Sequence, residues 1–156
     1  SLHPNKYMTY GVWDMFSTDG HCRTFGKDGD GYVPAEGIGA VLLKPLRQAE
    51  EDGDRIYAVI KGSAVNHVGT VSGISVPSPV SQADLIETCL EKTGIDSRKI
   101  SYMEDHGTGT SLGDPIEIQG LVKAFRQYTQ DRQFCSIGSV KSNIGHAESA
   151  AGISGL

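Results

Sequence analysis

The second half of the chain alternates short apolar runs with helical patterns, and that rhythm constrains the fold more than any other feature. Ser81-Gln-Ala-Asp84 has the [ST]-x-x-[DE] spacing of a helix start, and Leu85, Ile86, Cys89 and Leu90 then recur on one face until Gly94. A hydroxyl at the first position accepts from the free N–H groups of a first turn, and glycine adopts the left-handed conformation that ends a last one. Ile100–Glu104 and Phe134–Gly138 read as short strands, Pro115–Tyr128 as a helix between them, and another helix opens at Glu148. Such alternation predicts an α/β layer.

The first half carries a different pattern. Residues 1–37 are broken by Pro4, Gly11, Gly20, Gly26, Gly29, Gly31, Pro34 and Gly37, with room for a short helix over Asn5–Trp13. Gly39–Leu46 reads as a buried strand, Arg47–Asp54 as a polar turn, and Ile56–Asn66 alternates as the next strand. Residues 67–80 form a Gly/Ser/Pro loop.

Composition narrows the function. With 14 Lys+Arg against 19 Asp+Glu the chain carries a net charge of −5 and has no basic run, which argues against nucleic acid or an anionic membrane as partner. No stretch approaches the ~18 consecutive apolar residues of a membrane span. Three dispersed cysteines point to a reducing, cytoplasmic setting rather than a disulfide framework, and no Cys-x-x-Cys or suitable His spacing predicts a metal. The lack of an initiator Met and an uncapped last helix lead us to expect a piece of a longer chain.

Two segments concentrate the chemistry. Glu104-Asp-His-Gly-Thr-Gly-Thr-Ser-Leu-Gly-Asp-Pro-Ile-Glu117 and Ser139-Val-Lys-Ser-Asn-Ile-Gly-His-Ala-Glu148 each run from a strand end into a helix start. Ligand sites of α/β sheets gather at the carboxyl ends of strands, so two such loops, each delivering a His, can converge on one substrate. Asp114-Pro115 with Glu117 has the spacing of an N-cap, a first-turn proline and a capping box. The glycines after His106 do not complete G-x-G-x-x-G, because Leu112 stands where the last Gly belongs. Asp28-Gly-Asp-Gly31 is a turn rather than an EF-hand, since Gly26 and Gly37 occupy the required ligand positions.

His106-Gly-Thr-Gly-Thr110, Leu112-Gly-Asp-Pro-Ile-Glu117 and Val140-Lys-Ser-Asn-Ile-Gly-His146 resemble the β-ketoacyl synthase (ketosynthase) domain of modular polyketide synthases. Phe16-Ser-Thr-Asp-Gly20, Phe25, Asp30-Gly-Tyr-Val33, Glu36-Gly-Ile-Gly39 and Ile60-Lys-Gly-Ser-Ala-Val-Asn66 extend the resemblance over essentially the whole chain. It implies a thiolase-like fold of α/β/α/β/α layers, partly present here, with the first half closing near residue 70 and the second running over 71–156. It implies a homodimer that takes acyl chains from an acyl carrier protein, whose phosphopantetheine arm is the only cofactor. Leu2-His-Pro-Asn-Lys-Tyr7 resembles the subclass whose acyltransferase is a separate protein.

The resemblance also implies roles. His106 and His146 assist decarboxylation of a malonyl-type thioester and stabilise the enolate that attacks an acyl-enzyme. Lys141 is a buried lysine tuning their charge, and Glu117 is either its carboxylate partner or a capping-box residue. Thr108 and Thr110 either meet pantetheine amides or bond within the loop, and Asp114 is the cap fixing that loop. The nucleophilic Cys of the family lies in a Cys-Ser-Ser motif, a context that Cys22, Cys89 and Cys135 lack, so the nucleophile is expected upstream and these residues alone are expected to be inactive. Asp105 replaces a small residue, commonly Ala, and is expected to point away from the pocket. A carrier-binding scaffold and a fatty-acid ketosynthase are the alternatives.

Overall fold

Ser78 and Pro79 begin the longest helix. In the computed structural model, which describes residues 4–71, 73 and 76–156, α3 spans Pro79–Thr93. The Ser78 hydroxyl accepts the Ser81 N–H at 3.2 Å, and Gly94 ends the helix at φ 63°. The helix therefore starts before the Ser81 expected from the sequence, because proline fits the first helical position at no cost in hydrogen bonds. A single 3-10 turn, Ser97–Lys99, leads into β1 (Tyr102–Glu104).

β1 pairs in parallel with β2 (Ser136–Gly138), and α4 (Gly113–Phe125) is the crossover that parallel pairing requires. The ladder continues one step, with the Asp105 N–H donating to the Gly138 carbonyl at 2.9 Å. Alternation divides the sheet faces. Met103, Ile137 and Cys135 line an apolar groove of about 230 Å³ with Leu121 and Phe125 of α4. On the opposite parity Glu104 accepts the Val140 N–H at 2.7 Å and the Tyr102 hydroxyl at 2.7 Å. α3 packs on α4, where Ala83, Leu90, Leu121 and Ala124 are buried.

α4 corrects a second expectation. It begins at Gly113, and Asp114 is not its cap: the Gly113 N–H goes to the Thr110 hydroxyl at 3.1 Å, which frees the Asp114 carboxylate for other donors. After β2 come three short turns of helix, α5 (Lys141–Ile144), a 3-10 turn over Glu148–Ala150, and α6 (Ala151–Ser154).

The first half opens with α1 (Asn5–Val12), as expected, and Leu2 and His3 of the opening motif lie outside the described residues. Tyr7, Tyr10, Phe16 and Tyr32 cluster behind it, Phe16 and Tyr32 edge-on with ring centroids 5.3 Å apart. The expected strands over Gly39–Leu46 and Ile56–Asn66 do not form: neither run joins a sheet among the described residues, and Ile38, Leu42 and Val65 are almost wholly exposed. Their composition suits strands, but a strand exists only through a hydrogen-bonded neighbour, and the described residues offer them none. The expected turn between them contains α2 (Leu46–Glu51), entered at Pro45 with Ala49 buried, while Asp52 and Asp54 both bind Lys44.

Candidate active site

The loop leaving β1 is held on both sides. Glu117, on the first turns of α4, accepts the His106 N–H at 2.6 Å and the Gly107 N–H at 2.8 Å. Asp114 accepts the Gly109 N–H at 3.1 Å and the Phe25 N–H at 2.7 Å, tying the loop to a segment far away in sequence. From that segment Thr24 donates its hydroxyl to the Gly107 carbonyl at 2.7 Å, and Cys22 its thiol to the Thr108 carbonyl at 3.3 Å. Gly107 sits at φ 42°, where a Cβ would come within 2.8 Å of Ser139 Cβ, so only glycine passes. Charge-assisted bonds from N–H to carboxylate are among the stronger ones, so the backbone at His106 is rigidly placed.

The loop leaving β2 places His146 by its backbone. Its N–H donates to the Val33 carbonyl at 2.7 Å, and its carbonyl accepts the Ala35 N–H at 2.9 Å. The Glu148 N–H donates to His146 Nδ1 at 2.9 Å. With Nδ1 accepting, a neutral ring carries its proton on Nε2. Tyr32, only 5% exposed, lies on one side of the His146 ring at 4.9 Å between centroids. On another side is His106, edge-on, with centroids 5.3 Å apart. The two histidines of the two loops thus meet.

Their surroundings disfavour charge. His106, although open to solvent, is crowded by protein atoms that push its imidazole below the ordinary value, Lys141 adds to this, and Asp114 opposes it. Partial burial lowers His146 as well, followed by His106 itself, with Glu148 opposing and Lys141 assisting. Lys141 is buried, and with Glu104, Asp105, His106, Ala151, Gly152, Gly155 and Leu156 it lines an open cleft of about 350 Å³.

Three sequence expectations need adjustment. Both oxygens of Glu117 take the loop amides rather than amides of its own helix, so it is not a capping box, and Lys141 stands beside the imidazoles. Thr108 and Thr110 lie with their hydroxyls 3.1 Å apart, and Thr110 takes the Gly113 N–H, so their bonds among the described residues are internal to the loop. Asp105 continues the Met103 face toward α4, yet it lines the cleft and is buried. Sequence reasoning assigned nothing to Cys22, Thr24 and Tyr32; for Tyr32 the only signal was its place in Asp30-Gly-Tyr-Val33, since burial against His146 is a tertiary fact.

Residues 57–156 match the family model described as beta-ketoacyl synthase, C-terminal domain, and residues 1–49 match its N-terminal counterpart. The chain belongs to the β-ketoacyl synthase family. It is 97% identical, over all its 156 residues, to part of the polyketide synthase PksL of Bacillus subtilis, and 55% identical to part of the polyketide synthase ThaG of Burkholderia thailandensis. It spans 3% of the length of each of these relatives. Among solved structures, the ketosynthase from module 6 of the bacillaene synthase of Bacillus subtilis superposes with a TM-score of 0.96 at 49% identity, over 99% of this chain and 28% of that one. The oxazolomycin ketosynthase domain OzmH KS7 of Streptomyces albus gives 0.94 at 56%, over 100% of this chain and 27% of that one. The architecture is therefore a part of the layered thiolase-like α/β fold, and the segment is ketosynthase sequence of the polyketide type. No helix among the described residues is long and apolar enough to cross a membrane.

Proposed function

We propose that His106 and His146 serve a decarboxylative Claisen condensation between an enzyme-bound acyl chain and a malonyl-type thioester on an acyl carrier protein. The observation that carries this reading is the edge-on meeting of the two rings, 5.3 Å apart between centroids, on the segments that follow two neighbouring parallel strands. The carrier's phosphopantetheine arm supplies the extender as a thioester. His146 donates Nε2–H to the thioester oxygen, as its accepting Nδ1 dictates, and His106 is the second donor at that oxygen. Charge gathers on the oxygen as carbon dioxide leaves, and donors already in place stabilise it without reorganisation. The carbon so activated attacks the acyl thioester on a cysteine, whose thiolate departs.

Neutral imidazoles suit this task, and the depressed basicity of both rings supports it. Glu117 and Asp114 hold the His106 loop, and Lys141 adds to the burial that disfavours charge on both rings. Thr108 and Thr110 use their remaining hydroxyl capacity on the amides of the arm. The nucleophilic Cys comes from outside these residues, so the segment alone condenses nothing, and the whole domain works in the cytoplasm as a homodimer with its halves meeting near residue 70. Its acyltransferase is a separate protein.

The test uses the full-length chain that contains these residues, with a malonyl-loaded carrier protein. His106→Ala and His146→Ala are expected to lower carbon dioxide release by roughly 10²–10³ each, the usual effect of losing one oxyanion donor. Release unaffected by either change would overturn the assignment of the imidazoles. A wild-type chain that binds the carrier but yields neither carbon dioxide nor a β-ketoacyl product would be a scaffold instead.

A further inference from the structure

Asp105 is a carboxyl group for which the condensation has no use. It precedes His106, is 7% exposed, and its Oδ2 is buried with no hydrogen-bond partner. A buried carboxylate oxygen lacking a donor is costly, and taking up a proton is the usual escape. The groups around it offer little relief. Burial first, then Glu117 from α4 and Glu104 from β1, push its pKa up to about 7. From the β2 side the neighbour is Cys135, whose thiol is itself pushed up by burial and by Asp105. Lys141 of α5 lines the same cleft but acts on the two imidazoles.

Of these neighbours Glu117 matters most, because its two oxygens grip the N–H groups of His106 and Gly107. We propose that Asp105 is a positioning residue for His106 that acts through Glu117. As a neutral acid it leaves Glu117 free to hold both amides; once its proton has gone to solvent, it repels Glu117 and slackens the loop that aims the imidazole. The effect on rate rests on the condensation reading, but the grip on the loop does not.

Amide hydrogen exchange of the full-length chain, read on the peptide covering residues 105–112 and corrected for the intrinsic pH dependence of exchange, tests the grip directly. Between about pH 6 and about pH 8.5 the protection of this peptide should fall roughly tenfold in the wild type, as for about one pKa unit of coupling. Asp105→Asn, which keeps the shape without the charge, should make the profile flat. Glu117→Gln keeps an acceptor but removes the other charge and should do the same, so the idea stays testable if one variant does not fold. A wild-type profile that is already flat, or a slope that survives both variants, would overturn the proposal. In parallel, the alkaline fall of carbon dioxide release should shift in Asp105→Asn. A chain that releases no carbon dioxide at any pH refutes the condensation reading and leaves the exchange experiment standing.

Discussion

At the scale of single residues, two imidazoles meet edge-on in surroundings that disfavour their charged forms. Lys141 contributes to that from a buried position beside them. A nearby cation opposes the imidazolium form, so its loss raises both histidines. If the neutral rings are the working form, Lys141→Met moves the acid limb of the pH–rate profile to higher pH, by roughly half a unit to one unit. A limb that stays in place while kcat falls would mean that Lys141 acts on something other than ring charge. The histidines and their glycines were legible in the sequence because the motif is local. The Asp114 bond to the Phe25 N–H was not, since its donor comes from a Gly-rich stretch whose path nothing local dictates.

At the scale of elements, α4 is the platform for the His106 loop, carrying both Asp114 and Glu117. Its height above the sheet depends on α3, and the two helices approach where Gly120 leaves no room for a side chain. A Cβ there would lie 2.8 Å from Gln82 Oε1 and 3.3 Å from the Pro79 carbonyl. Gly120→Val should force the helices apart and destabilise the full-length chain's ketosynthase unit by roughly 1–3 kcal/mol, the range for overpacking. The check is its denaturant midpoint, and no change in it would mean that the helices yield freely. Helix existence was readable from apolar spacing and from Gly94. Both starts were misjudged because several hydroxyls and carboxylates in each entry compete for the same amides, and folding selected Ser78 and Thr110.

At the scale of the whole molecule, the chain divides into a packed second half and a first half that lies open between residues 38 and 65. Ile38 is 100% exposed, Leu42 96% and Val65 94%, an apolar display that soluble monomers rarely carry. Unpaired strand-forming runs of this kind invite edge pairing. Expressed alone, the 156 residues should bind a hydrophobic dye strongly and self-associate, and the full-length chain should do so far less per residue. A monomeric, dye-silent fragment would show that these runs find partners within it. The alternating pattern of Ile56–Asn66 was correctly apolar, yet pattern alone does not supply a neighbouring strand.

Local chemistry determined the α/β rhythm, the two Gly-flanked histidine loops and the family they resemble, because strand, turn and helix preferences act over a few residues. Only the tertiary structure decided that the rings meet, that Glu117 and Asp114 serve the loop rather than the helix, that Tyr32 backs His146, and that Asp105 is buried beside a second carboxylate. Each of those depends on which distant groups share a small volume once water is excluded, and the competition among donors for a few buried acceptors is settled only there.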